Sequence, residues 1–275
     1  KLRPEDIEKI VTTWKAKKDI EKYAHMADLS EIEADVEREG GRHLIRRLRP
    51  YRTSENRIDG VVVTYTDVTN LREATESAKR REAQQASVAE LGRMALGEAS
   101  LDELLTRSVE ELGWNMNVRY AKVLQLMPDR GWLLVRTGIG WASGTVGRTR
   151  VETGVGSQAG YTLLHAHPIV VEDFATEKRF TPARILREHR IRCGASVTIG
   201  PTSAPWGVLG VHETETGRCG FTVDDVNYLL SVANVIWLAI SREREMSRMQ
   251  DETRRLRHGR RGGARRGPSL IKRPV

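Results

Sequence analysis

Histidine and cysteine are the side chains whose spacing constrains chemistry most directly in this chain. His165 and His167 stand two apart at the end of a predicted helix, and residues two apart do not share a helical face. His189 and His212 lie far from them and from each other in sequence. Metal sites draw on ligands placed to converge on one ion, and this spacing offers no such set, so the four are read as hydrogen-bonded or solvated histidines. Cys193 and Cys219 are the two cysteines of the chain. They lack metal or redox spacing and are read as reduced thiols of a cytoplasmic protein. Glu172 and Asp173 form either an acid pair or the cap between a strand and a loop. Trp132, Trp141, Trp206 and Trp237 are read as core or pocket wall. The glycines from Gly138 to Gly160 lead into no Gly-Lys-Ser/Thr, so they punctuate a loop rather than cradle phosphate. No catalytic, metal or cofactor residue is assigned, and no ligand-binding residue can be named from these patterns.

The elements that must position any such site are best marked between Gly154 and Arg242. Ser157 opens a helix, Pro168 leads a strand, and FTPARILREHRI reads as a helix. CGASVTIG and WGVLGVHE read as a hairpin, and Thr222 caps a final helix with Asp224 and Asp225 in its first turn. Its predicted apolar stripe is Val223, Val226, Leu229, Leu230, Ala233, Ile236, Trp237 and Ile240. Upstream, Ser100 and Glu103 predict a capping box for a helix ended by Gly113. YAKVLQLM and WLLVRTGIGW read as strands joined by a turn over Pro128–Gly131.

The chain has 275 residues, 39% hydrophobic and 30% charged, with a formal net charge of +8. That length suits one or two domains. The apolar runs fall short of the roughly 18 residues of a membrane span, so no membrane partner is expected. The positive charge is local. Arg254 to Val275 holds nine basic residues and no acid, which leaves 36 of the 45 Lys and Arg against 37 Asp and Glu. Such a tail is expected to be disordered and to bind nucleic acid only non-specifically. Its Arg/Gly/Pro texture is read as a shifted reading frame, and an opening Lys in place of Met as the mark of a fragment or processed product.

The first part of the chain carries two resemblances. Residues 1–34, LRPEDIEKIV through DLSEIEA, read as helical, with Ser30 and Glu33 at capping-box positions. They resemble a segment of the N-6 adenine DNA methylase subunit of type I restriction–modification systems. The flipped-base and S-adenosylmethionine motifs of that family are absent. Residues 35–69 read as three strands, with turns at Ser54–Arg57 and Asp59–Gly60. One face of the second strand carries Leu44, Arg46 and Leu48. The third strand carries Val61, Val63 and Tyr65 opposite Val62, Thr64 and Thr66, a pattern suited to cover on both sides. LRPYRTSENRIDGVVVTYTDVT resembles the C-terminal half of a PAS domain. That resemblance implies an exit at Asp67-Val68-Thr69 into a signalling helix, for which Asn70 and Glu73 supply a cap. Over 70–98, Leu71, Ala74, Ala78, Arg81, Gln85, Val88, Gly92 and Ala95 step as a heptad seam, read as a dimerising helix.

The Gly154–Arg242 elements and the helix and strands before them resemble a GAF domain of the kind found in bacterial sensor histidine kinases and diguanylate cyclases. The residues carrying this are VGSQAGYTLL, PIVVEDFATEKRF, LREHRIRCGASVTI, WGVLGVHE and FTVDDVNYLLSVANVIWLAI. The resemblance implies an antiparallel sheet with helices on one face and a small-molecule pocket on the other. The acceptor pattern of bilin attachment around Cys193 and the Asn-Lys-Phe-Asp-Glu set of cyclic-nucleotide GAF domains are not present. His258 lacks the apolar heptads of a phosphoacceptor helix.

The expected architecture is therefore α+β. It comprises a methylase-like helical segment (1–34), a partial PAS sheet (35–69), a connector helix (70–86), a GAF domain (87–243), a helix extension (244–257) and a basic tail (258–275). The expected function is a cytoplasmic sensory module of a sensor histidine kinase-like protein. It would bind a small molecule, dimerise through its connector helices and lack catalytic residues. The alternatives are a fragment of a DNA-methylase subunit and a dimerising scaffold without ligand.

Overall fold

The computed structural model describes residues 32–38, 42–55, 58–97, 99–165, 167–217 and 219–263. The chain divides into two compact units, Lys1–Lys79 and Arg80–Val275.

In the first unit, β1 (Ile32–Arg38), β2 (Arg42–Arg52) and β3 (Ile58–Asp67) form an antiparallel sheet in that order. The helix expected over residues 1–34 lies outside the described residues up to residue 31. Glu33, expected in a capping box, instead sits in β1 opposite Arg47. Asp59 and Gly60, expected to form a turn, lie inside β3, where Gly60 pairs with Tyr51 next to a register shift. Leu44 is buried, whereas Val62, Thr64 and Thr66 are exposed and Val63 and Tyr65 half-buried. The third strand thus has one wet face, against the expectation of cover on both. Alternation of this kind is what a sheet packed on one side shows.

The exit from the sheet falls at the expected triplet but is built differently. The Val68 N–H donates to the His43 carbonyl at 3.0 Å. The Thr69 N–H and hydroxyl both donate to Asp67 Oδ1, at 3.0 and 2.6 Å, and the His43 N–H donates to Thr69 Oγ1. Asp67 therefore supplies the acceptor for the first turn of α1 (Thr69–Leu96), in place of the expected Asn70 and Glu73. These bonds from Thr69 hold the Asp67 carboxyl below its ordinary range.

In the second unit, a six-stranded antiparallel sheet runs in the order β6-β5-β4-β9-β8-β7. Its strands are β4 (Tyr120–Leu126), β5 (Trp132–Ile139), β6 (Arg150–Glu152), β7 (Ile169–Val171), β8 (Ile191–Ile199) and β9 (Gly207–Thr214). Its helices are the C-terminal part of α1, then α2 (Leu101–Met116), α3 (Gln158–Leu164), α4 (Arg184–Glu188) and α5 (Val223–Gly263). Ser100 and Glu103 form the predicted capping box. Helix α2 runs past Gly113 to a left-handed cap at Asn117. Gly113 lies inside the helix, where its missing Cβ lets Ile139 of β5 pack against the backbone.

Two apolar clusters sandwich the sheet. On one face, Leu104, Leu105 and Leu112 of α2 and Leu229, Val232 and Ile236 of α5 cover Ala121, Val123, Val197 and Leu209. Each such Leu or Ile removed from water contributes roughly 1.5–3 kcal/mol. Helix α1 joins this cluster through Leu91 and Ala95, and its buried positions are Gln84, Ser87, Leu91 and Ala95. That face lies beside the expected heptad seam and shares only Ala95 with it. It packs within the domain: Ser87 Oγ lies 2.8 Å from Tyr228 Oη of α5, and Arg81 pairs with Asp224 at 2.7 Å. The expected α5 stripe, by contrast, largely holds: Leu229, Ala233, Ile236 and Ile240 are buried and Val226, Leu230 and Trp237 half-buried. Val223 is exposed, while Tyr228 and Val232 are also buried. The stretch Val223–Glu252 is long and apolar enough to cross a membrane by length and composition, but its apolar face is the one seated in this core. Thr222 and Asp225 cap the helix reciprocally.

On the other face, α3 and α4 cover Leu124, Leu133, Val135 and Val208. Helix α4 is only five residues long, shorter than the helix expected from FTPARILREHRI, because Ile191 already belongs to β8 and Arg190 takes a positive φ of 51° to turn the chain. Cys193 and Cys219 are joined by a disulfide with Cα atoms 5.9 Å apart. This overturns the reading of reduced thiols: β8 begins beside the loop that precedes α5, and the two side chains meet across it.

Candidate functional site

Strand β4 places Tyr120, Lys122 and Leu124 on the sheet face that α3 and α4 cover, and Ala121 and Val123 on the other. In register beside them, Lys122 faces Gly210 of β9, which faces Ser196 of β8, and Tyr120 faces His212, which faces Gly194. The small residues in these rows leave room for the imidazole. A Cβ at Gly194 would come within 2.7 Å of His212 Cδ2. Opposite, the Ser157 hydroxyl accepts the Gly160 N–H at 3.0 Å, which sets the first turn of α3 and carries Gln158 and Ala159 onto the sheet.

The result is a small cavity of about 10 Å³ lined by Lys122, Leu124, Val151, Gln158, Ala159, Ala183, Ile185, Leu186, Ser196, Val208, Gly210 and His212. That is room for roughly one water. Lys122, Gln158 and His212 are 4%, 3% and 1% exposed. Lys122 Nζ lies 4.4 Å over the Trp141 ring and 3.5 Å from His212 Nε2. The shorter contact of Nε2 is to Gln158 Oε1, at 3.0 Å, so Nε2 carries the proton and donates. Gln158 Nε2 and His212 Nδ1 are left buried without a partner among the described residues. Thr162 and Ser196 satisfy each other at 2.8 Å.

Burial controls the titration of this site. Loss of water drives the Lys122 ammonium from 10.5 down to about 7. It also holds His212 well below its ordinary 6.5, with the nearby Lys122 acting in the same direction. Next to the cavity, Trp141 Nε1 donates to the Ala121 carbonyl at 2.8 Å, and its ring meets Tyr120, His189 and His212 at centroid distances of 4.9, 5.1 and 5.8 Å. His189 is held at both ring nitrogens: Nδ1 donates to the Ile185 carbonyl and Nε2 accepts the Ala142 N–H, each at 2.9 Å.

Of the histidines singled out by type, the fold gathers His189 and His212 around Trp141. It leaves His165 stacked on Tyr161 at 3.8 Å and His167 exposed. Asp173 takes the cap role, accepting the Ala175 N–H at 2.8 Å. Trp206 is buried and Trp237 half-buried in the helix-side core, and Trp132 is exposed. Among the described residues no group of three or more His, Cys, Asp or Glu could hold a metal ion. Lys122 and Gln158 escape a reading by residue type. The available signal was a charged residue inside YAKVLQL, a strand apolar on both of its faces.

The GAF domain family model matches residues 100–240, just over half of the chain. The chain belongs to the GAF domain family. A PAS-domain model matches residues 2–69, so that match starts ahead of the boundary expected at residue 35 and takes in the segment compared above with a methylase subunit. No curated protein matches the chain. Among solved structures, this GAF domain is similar to that of a phosphoenolpyruvate-protein phosphotransferase from Coxiella burnetii, with 16% identity, TM-score 0.54, and coverage of 61% of this chain and 98% of that one. It is similar to free methionine-R-sulfoxide reductase from Neisseria meningitidis in complex with its substrate, with 15% identity, TM-score 0.50, and coverage of 59% and 91%. It is also similar to the phycoerythrobilin-bound GAF domain of a cyanobacterial phytochrome, with 14% identity, TM-score 0.50, and coverage of 60% and 98%. At these identities the likeness is one of fold.

Proposed function

We propose that the chain is the sensory part of a sensor histidine kinase-like signalling protein. It binds a small molecule in the cavity between the sheet and α3–α4 and acts by binding rather than by catalysis. The observation that carries this reading is the cavity itself, with buried Lys122, Gln158 and His212 turned to it and polar atoms of two of them unpartnered. Buried polar groups are normally hydrogen-bonded, and a pocket of this kind in a known binding fold supplies the partner from its ligand. One structural neighbour is in complex with its substrate and another holds phycoerythrobilin, which supports binding by analogy of fold. The state of the pocket would pass to α5, whose Leu229, Val232 and Ile236 pack on the opposite face of the same sheet. Homodimerisation through the helices is part of the same reading. It is supported by exposed Leu71 on α1 and exposed Met246 and Met249 on α5.

A thermal-shift screen of metabolites on the wild type and on Gly210→Leu tests it. The first carbon of a side chain at position 210 stands 3.0 Å from His212 Cε1, so Leu occupies the whole void and displaces the imidazole that lines it. A ligand that raises the wild-type melting temperature but not that of the variant is the expected result. Equal stabilisation of both by every active compound would rule out this pocket as the site.

A further inference from the structure

The charge in this pocket has no counter-charge. Among the described residues, Lys122 Nζ has the Trp141 face and His212 Nε2 as its neighbours and no carboxylate in ion-pair range. Ammonium groups are almost never fully buried without a paired anion. The aromatic face orients the group but accepts no conventional hydrogen bond from its protons. His212 Nε2 has its proton directed to Gln158 Oε1, so it is not an acceptor for Lys122 either. The Gln158 amide nitrogen adds a second unpartnered donor. The remaining wall is aliphatic, formed by Leu124, Val151, Ile185 and Val208.

Given that this cavity is the ligand pocket, we propose that it takes a small carboxylic acid as its monoanion. The carboxylate sits against Lys122 Nζ and the Gln158 amide, and the alkyl part lies against Leu124, Ile185 and Val208. The charge count follows from the site: Lys122 is the one group that can present a positive charge to the cavity, held protonated by the anion set against it, and burial keeps His212 neutral. The aliphatic wall favours an organic acid over an inorganic anion, since each methylene buried there adds about 0.8 kcal/mol, roughly a fourfold gain in affinity. A void of about 10 Å³ is smaller than such an acid, so the opposite wall must yield on binding. Helix α4 forms part of that wall, and it is five residues long with no side-chain cap.

The test is a methyl-resolved NMR titration of the full chain at constant ionic strength. Acetate, propionate and butyrate are compared with acetamide, propionamide and butyramide. The acids are expected to shift the Leu124, Val151, Ile185 and Val208 methyls saturably and to bind about 10- to 100-fold more tightly than the matched amides, the ratio for a hydrogen bond to a charged group. Lys122→Met, which removes a buried charge and keeps the volume, is expected to erase that preference. Gln158→Leu should weaken the acids and leave the preference in place. Amides binding the wild type as well as the acids do, or an acid preference that survives in Lys122→Met, would overturn the carboxylate assignment while leaving the pocket a small-molecule site. Pocket methyls unmoved by either series would also overturn it. The broader reading is decided separately, by the metabolite screen against Gly210→Leu.

Discussion

Replacing Lys122 by Met gives a pH-dependent stability change whose size follows from the burial of one side chain. Burial takes the ammonium from 10.5 to about 7. At 1.36 kcal/mol per pH unit, this makes the charged form costly by on the order of 4–5 kcal/mol. The Trp141 face at 4.4 Å returns up to about 2 kcal/mol of that. The folded value is depressed, so between roughly pH 7 and 10.5 the unfolded chain holds a proton that the native chain has lost. Stability therefore rises with pH across that window, and the full penalty applies below it. Met at this position has no such penalty. In the ligand-free chain, Lys122→Met is expected to be more stable than the wild type by roughly 2–4 kcal/mol at pH 6, and the advantage should shrink by about 1–3 kcal/mol by pH 9. Urea unfolding of both proteins at several pH values measures the difference and cancels the groups they share. His212 cancels for the most part, because burial, the larger cause of its lowered value, is the same in both proteins, while loss of Lys122 removes the smaller one. A difference that stays constant with pH, or a wild type more stable at both ends, would refute the claim that Lys122 is buried without a counter-charge.

Other outcomes follow from local geometry. Gly140 and Gly144 both have positive φ, 80° and 82°, but a Cβ at Gly140 would run into the Arg119 carbonyl whereas the space at Gly144 is open. Gly144→Ala should cost about 1–2 kcal/mol from backbone conformation alone and Gly140→Ala distinctly more in denaturant titration. Similar costs would contradict the packing at Arg119. Thiol titration of the unfolded, unreduced chain should find both cysteines blocked, and reduction should lower stability by about 2–4 kcal/mol; freely reactive thiols before reduction would exclude the Cys193–Cys219 bond. Ser100→Ala removes the acceptor for the Glu103 N–H and should cost about 1 kcal/mol, read by thermal unfolding. No loss would mean that the capping box does not support α2.

The signals that survived from sequence to structure are those whose physics is local. Ser100 with Glu103, Ser157, Thr222 with Asp225 and the Pro128–Gly131 turn each act within four residues, and each appears where chain order put it. Features set by distant partners were not visible. Gly113 looks like a helix stop until Ile139 is seen against it. The buried face of α1 lies beside the expected seam because Tyr228 and the core draw in Gln84, Ser87 and Leu91. Cys193 and Cys219 meet only once β8 and the loop before α5 are assembled. At the site, His212 was noticed for its chemistry, but Lys122 looked like a surface cation. Its burial depends on α3 closing over β4, and only the apolar residues on both sides of it in YAKVLQL hinted at that.

The central claim is that the GAF pocket holds a small molecule against buried polar groups. Native mass spectrometry of the full chain, set against its denatured mass, tests this most directly. The account predicts a non-covalent adduct of small-molecule mass on the wild type that is released on denaturation and is missing from Gly210→Leu. A wild type that flies only at its bare mass, both as purified and after incubation with metabolite extract, would contradict it.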